Sequence, residues 1–295
     1  MALALTGCGV VRLAYDQAPT LAYWWIDSYV DLNAEQTPMV RDALERWFAW
    51  HRRNQLPDYV ALLARAQREL AQPTTAAAMC ALANEVERRL DIAVDAAAPA
   101  LAELVLSLTP EQLRHLERQV TKKSAEVRAD FAQPDPAERR EKSFKRTLER
   151  YENFYGTLDA AQRERLAALL AASPFDADRW QAERSQRNRE MVQTLASTIA
   201  AGRGTDRDIA MAQAQAAVRT IAERATRSPR PAYRAYQQRL LQDNCALVAT
   251  MHNHMTPEQQ QHVRSKLKGW ENDLRALAAK SGNGSHGANS VAAGR

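Results

Sequence analysis

The chain has 295 residues, 45% of them hydrophobic, which is enough to bury a sizeable core. Its net charge of +5 is local, because residues 218–240 carry six arginines and one glutamate while the rest is balanced. This pattern argues against a nucleic-acid binder with a uniformly basic surface, and the lack of any run of 18 apolar residues argues against a transmembrane helix.

The first motif along the chain is LTGC at residues 5–8, which resembles a bacterial lipobox. In a lipobox the cysteine thiol accepts diacylglycerol, so we expect Cys8 to be lipidated and residues 1–8 to be the remnant of a signal peptide. Signal peptides have a basic n-region and about 7–15 apolar residues, so the motif predicts such an extension upstream of Met1. Gly9, not Asp, follows the cysteine, which favours the periplasmic side of the outer membrane. The alternative is an incidental cysteine in a cytoplasmic protein.

Apolar periodicity interrupted by proline and glycine predicts helices along nearly the whole remaining chain. They cover 18–31, 41–53, 58–71, 75–108, 110–131, 136–155, 160–172, 174–201, 206–227, 232–254 and 257–280. Long helices joined by short turns predict an all-α, multi-helix antiparallel bundle of about ten helices with no sheet. We expect a main domain over 9–228, a C-terminal helical pair over 229–280 packed on the same bundle, and a disordered tail over 281–295.

The segment RLAYDQAPTLAYWWIDSYVDL at 12–32, with WHRR at 50–53 and LPDY at 56–59, resembles the N-terminal signature of an uncharacterised family of Gram-negative lipoproteins. The resemblance covers about the first 60 residues. It implies a lipid anchor and a helical fold, and it brings no catalytic or ligand-binding residues.

Within this segment, four residues at helical spacing share one face and are predicted to pack into the core: Leu21, Trp25, Tyr29 and Leu32. The alternative is an aromatic belt of Tyr23, Trp24 and Trp25 at the level of the lipid headgroups. Core packing is favoured, because exposed aromatic residues are costly without a partner.

One short pattern recurs four times: an apolar residue, a capping residue, two spacers and Gln. The copies begin at Leu32, Leu108, Leu158 and Met255. The second copy, LTPEQ, resembles the LTxxQ motif of small periplasmic stress chaperones, which implies a chaperone-like holder of unfolded proteins. A cap residue with Gln three positions later is also a capping box, and capping is the favoured interpretation.

Cys80 and Cys245 both lie in helical patterns. In an oxidising periplasm they would form a disulfide, whereas the alternative is two separate buried small residues. The sequence leaves the two alternatives open.

The basic segment is the best candidate for contact with an anionic partner, and its arginines are Arg219, Arg224, Arg227, Arg230, Arg234 and Arg239. In the periplasm that partner would be phospholipid or lipopolysaccharide headgroups; in the cytoplasm the same residues would indicate nucleic acid. The alternative is a solvated linker and helix face.

No cluster of histidines and cysteines at metal-binding spacing occurs, so no metal, cofactor or catalytic residue is predicted. The sequence therefore predicts a non-enzymatic lipoprotein of the outer membrane that acts by binding, as a scaffold or in envelope maintenance, with a protein partner or client and without nucleic acid. The alternatives are a chaperone-like holder, a helical envelope enzyme with an unrecognised site, and a cytoplasmic nucleic-acid binder.

Overall fold

A computed structural model describes residues 10–283, and in that range all regular structure is helical. The eleven helices are α1 (Val10–Val30), α2 (Gln36–Asn54), α3 (Leu56–Glu69), α4 (Ala76–Ser107), α5 (Pro110–Phe131), α6 (Pro136–Tyr155), α7 (Ala160–Ala172), α8 (Ala177–Gly202), α9 (Arg207–Thr226), α10 (Pro231–Asn253) and α11 (Pro257–Asn283). The predicted all-α class is confirmed, with eleven helices in place of about ten.

The largest difference from the predicted boundaries is at the first helix. α1 begins at Val10, eight residues before the expected start, and contains Pro19 in its interior. No glycine or other proline interrupts residues 10–18, so the helix extends back toward the amino terminus. At the other end, α11 continues through Asn283. Residues 1–9 and 284–295, which include Cys8 and most of the predicted tail, lie outside the described residues.

α4 is the central element, because its 32 residues reach about 48 Å and contact α2, α8, α9 and α10. Fully buried alanines, Ala98 on α4 and Ala214 on α9, allow close approach of these helices. α11 packs along α3, and α1 packs against α2, α5 and α11. The helices before and after the connection between α9 and α10 share one hydrophobic cluster, which includes Leu166 of α7 and Met251 of α10.

Within residues 10–283 no single helix has the length and hydropathy needed to cross a membrane. Taken together, α4 and α5 have the length and composition of a membrane-spanning segment, but the two helices are bent by 117° at the break between them.

Candidate functional site

Three of the four copies of the repeated pattern form capping boxes at helix starts, and the copy at Asn33 makes the same reciprocal bonds just before α2, whose N-cap is Glu35. Ahead of α5, the Thr109 hydroxyl accepts from the backbone N–H of Gln112 (3.2 Å), and the Gln112 amide oxygen accepts from the N–H of Thr109 (3.0 Å). Asn33 with Gln36, Asp159 with Gln162, and Thr256 with Gln259 repeat this reciprocal arrangement. The capping interpretation is therefore confirmed.

The four glutamines also pair across the fold, in two arrangements that we call the glutamine clamps. In the first clamp, Gln36 and Gln112 donate to each other's amide oxygens at 3.1 and 2.6 Å. Each also donates to the carbonyl just before its partner's motif, from Gln112 to Asp31 (2.9 Å) and from Gln36 to Ser107 (3.0 Å).

The second clamp joins Gln162 and Gln259 in the same way, at 2.7 and 3.0 Å. Their amide groups donate to the carbonyls of His254 and Thr157. This pairing across the fold does not follow from the capping interpretation. The available signal was that all four copies carry Gln and none carries Glu, because an amide donates as well as accepts while a carboxylate only accepts.

The signature residues meet around a buried histidine that joins α1, α2 and α3. His51 Nδ1 lies 2.9 Å from the Tyr15 hydroxyl, and Nε2 lies 3.3 Å from the Tyr59 hydroxyl. The ring stacks on Trp47 with centroids 4.8 Å apart. Burial lowers the pKa of His51 to about 4, so the ring is neutral at physiological pH. Tyr15, His51 and Tyr59 therefore hold α1 against α2 and α3.

Two signature aspartates end α1. Asp31 has a φ of 61°, in the left-handed region that often terminates a helix, and its carbonyl accepts from Gln112. The Asp27 carboxylate accepts from the backbone N–H of Leu32 at 2.9 Å. Their role is thus in helix termination, and among the described residues no group of three or more metal-ligating side chains occurs.

The outward face of α1 carries exposed apolar side chains, which we call the α1 stripe: Leu13, Leu21, Trp24 and Trp25. Their exposed fractions are 67%, 60%, 64% and 64%. At 100° per residue the four lie within a sector of about 120°. The prediction that Leu21 and Trp25 belong to the core is wrong, because the buried face of α1 is set by Tyr23, Ile26 and Val30.

An apolar groove of about 860 Å³ lies between α1, α2 and α4. Its walls include Ile26, Leu44 and Trp47, and the ionisable residues lining it are Arg46 and Glu103. This composition is suited to binding apolar groups more than to acid–base chemistry.

Four of the six arginines in the basic segment are paired with carboxylates of α4 and α8. The ion pairs are Arg219 with Asp95, Arg224 with Glu190, Arg227 with Asp91 and Glu87, and Arg230 with Glu183 and Glu190. Burial opposes ionisation of Glu183, but hydrogen bonds from Arg230 and Ser228 outweigh it and lower its pKa. Only Arg234 and Arg239 lack a carboxylate at ion-pair distance among the described residues, so the segment is not a continuous strip of free charge.

Cys80 and Cys245 form a disulfide with Cα atoms 5.4 Å apart, joining the start of α4 to α10. Of the two arrangements that the sequence left open, the structure has the bonded one.

Residues 28–203 match a family of unknown function, DUF6279. The matched segment includes His51 and three of the four clamp glutamines, and it begins after Trp25. No curated protein and no solved structure matches the chain.

Proposed function

The chain belongs to DUF6279, a family of unknown function, and we propose that it is a lipid-anchored protein of the periplasmic face of the outer membrane, which acts by binding. In this proposal Cys8 carries the anchor and α1 lies on the bilayer surface. The observation that carries the proposal is the exposed α1 stripe close after the lipobox-like motif.

The position of α1 suits such a contact. The helix begins two residues after Cys8 and is about 31 Å long, so acyl chains on Cys8 would hold its start at the membrane. Tryptophan rings are favoured at the headgroup level, where an apolar body and a polar N–H are both accommodated. In this proposal the exposed rings of Trp24 and Trp25 occupy that environment.

The stripe also keeps a fixed orientation. The opposite side of α1 is held by the ion pair between Arg12 and Asp273 (3.0 Å) and by the hydrogen bond from Tyr15 to His51. None of the four stripe residues belongs to a hydrophobic cluster of the described residues. Their side chains add little to core packing beyond the contact of Trp25 with Tyr29, which supports a role in contact with a partner surface.

The disulfide supports an extracytoplasmic location, because disulfides persist in the oxidising periplasm and are rare in the cytosol. Cys80 and Cys245 would be expected to remain reduced in a cytoplasmic protein.

The anchor is tested by labelling cells with radioactive palmitate and comparing the wild-type protein with Cys8→Ala, both expressed from the natural coding region. We expect label in the wild type only. Equal labelling of the two proteins would disprove lipidation at Cys8.

The stripe is tested separately in the unlipidated Cys8→Ala protein, by sedimentation with vesicles of phosphatidylethanolamine and phosphatidylglycerol. Adding Trp24→Ser and Trp25→Ser should lower the vesicle partition constant about tenfold or more, because each ring then loses apolar area that the interface would cover. Ile209→Ser, on the exposed surface of α9, is the matched control and should leave binding unchanged. Equal loss in the control, or none in the tryptophan variant, would remove α1 from the membrane contact.

A chaperone-like holder is the second candidate, and the apolar groove beside α1 is the observation that favours it. It predicts that the protein suppresses aggregation of a reduced, unfolding client, measured by light scattering. Leu44→Glu, in the groove wall, should abolish suppression, while Ile209→Glu should not. If both variants suppress aggregation as well as the wild type, the groove does not hold clients.

A further inference from the structure

A second cleft, separate from α1 and its groove, lies where α6, α7, α8 and α10 meet. Its volume is about 680 Å³, which is within the range of about 300–1,000 Å³ typical of small-molecule sites. We call it the basic cleft, and it differs from the groove beside α1 because it combines apolar walls with several arginines.

One side of the basic cleft is aromatic. The Trp180 ring lies between Phe131 and Phe175, with centroid distances of 5.6 and 6.2 Å. Leu170 and Leu240 extend the apolar wall. Phe175 is 38% exposed in the connection between α7 and α8, so apolar surface is open to a ligand.

The other side is positively charged: Arg139, Arg140, Arg146 and Arg150 line the cleft with a single carboxylate, that of Glu141. The Arg146 guanidinium is held in place, donating to the Asp130 carbonyl at 2.6 Å and lying 4.3 Å from the centroid of the Phe131 ring. Burial lowers the pKa of Arg146, the nearby charge of Arg150 lowers it further, and Asp130 opposes both.

The charges of the basic cleft contrast with those of the segment 218–240. There most arginines face carboxylates, whereas among the described residues Arg140 and Arg150 have no carboxylate at ion-pair distance. Arg139 donates to the Gln133 carbonyl and lies 3.7 Å from Asp178 at the rim. The unneutralised guanidinium groups therefore concentrate at the α6 side of the cleft.

We propose that the basic cleft binds a single-chain amphiphile with an anionic head. The head would be bound by Arg140, Arg146 and Arg150, since guanidinium groups form strong hydrogen-bonded pairs with carboxylate and phosphate. The acyl chain would lie on the wall formed by Phe131, Phe175 and Trp180. A small inorganic anion would leave that wall open to water, and a neutral lipid would leave the arginines without a counter-charge.

This inference is independent of the membrane anchor, and its test uses the full-length, unlipidated Cys8→Ala chain without detergent. Isothermal titration calorimetry with dodecyl phosphate below its critical micelle concentration should show saturable binding. Shortening the probe to decyl phosphate should weaken binding by about fourfold for each methylene removed from the wall. Dodecanol and inorganic phosphate should each bind at least tenfold more weakly than dodecyl phosphate.

The double variant Arg140→Gln/Arg150→Gln should reduce affinity for dodecyl phosphate at least tenfold, and Phe175→Ala should weaken the dependence on chain length. Arg118→Gln/Arg165→Gln is the charge-matched control outside the cleft and should bind like the parent. Far-UV circular dichroism checks that each variant is folded. The proposal fails if dodecyl phosphate does not bind, if dodecanol or phosphate binds as tightly, or if the cleft variant and the control variant have the same affinity.

Discussion

The first glutamine clamp predicts an energetic coupling between two residues 76 positions apart. Gln112 is 7% exposed, and Gln112→Ala removes its hydrogen bonds to Asp31, to Thr109 and, in both directions, to Gln36. At a net contribution of about 0.5–1.5 kcal/mol for each bond, and with partial compensation at Gln36, we expect a loss of about 3 kcal/mol in the free energy of unfolding.

A double-mutant cycle separates the clamp from simple capping. Gln36→Ala should cost a similar amount, and the double variant should cost about 2 kcal/mol less than the sum, because the mutual bonds are lost only once. Urea unfolding followed by far-UV circular dichroism measures all four proteins. Gln112→Glu is a sharper probe, since glutamate suits a capping box but cannot donate to Gln36 or to the Asp31 carbonyl.

Two outcomes would refute this reasoning. If the Gln36 and Gln112 variants are additive within about 0.5 kcal/mol, the residues do not act as a pair. If Gln112→Glu is as stable as the wild type, Gln112 acts only as a local cap. Combining Gln112→Ala with Gln162→Ala is the control, because the two clamps share no partner and their effects should add.

Three further predictions concern stability. Replacing Cys80 and Cys245 with alanine should lower the free energy of unfolding by up to about 5 kcal/mol, from the chain-entropy relation for a separation of 165 residues, and reductant should then have no further effect in urea unfolding. His51 has a pKa of about 4 in the folded protein and 6.5 in the unfolded chain. As the pH falls, the unfolded chain therefore binds a proton at His51 before the folded protein does. Stability is therefore full above pH 6.5 and should fall by up to about 3 kcal/mol as the pH drops toward 4. Urea unfolding across this pH range should show a smaller fall in the free energy of unfolding for His51→Gln than for the wild type. Part of the fall should remain in the variant, because burial also lowers the pKa of His252. Arg230→Gln should cost about 2 kcal/mol, because it leaves Glu183 buried without its counter-charge, and adding Glu183→Gln should recover part of that loss in the same assay.

The helical class and most helix boundaries could be read from the sequence because they depend on local signals. The caps at Thr109, Asp135 and Asp159 and the prolines after two of them mark helix starts directly. The face of α1 was harder to predict, because periodicity shows which residues share a side but not which side meets the bundle. Leu21 and Trp25 fitted a core pattern and are nevertheless exposed.

Long-range pairs explain what the sequence did not reveal. The basic segment looks free of counter-charge because its partners lie in other helices, from 34 residues earlier for Glu190 with Arg224 to 140 residues earlier for Glu87 with Arg227. The basic cleft could not be predicted from the sequence either. Its arginines are spread along α6 among lysines and glutamates, and only the fold places them beside Trp180.

Two long-range connections join the segment that matches the family to helices that lie outside it. The segment contains Cys80 and Gln162, while their partners Cys245 and Gln259 lie in α10 and α11. Each clamp also holds one end of a helix that carries part of a proposed site. The first fixes the end of α1 through Asp31, and the second ties the start of α7, which lines the basic cleft, to the start of α11. Disrupting one clamp should therefore disturb the site on its own helices first, and the two proposed binding surfaces also pack on separate hydrophobic clusters, so mutation should separate them.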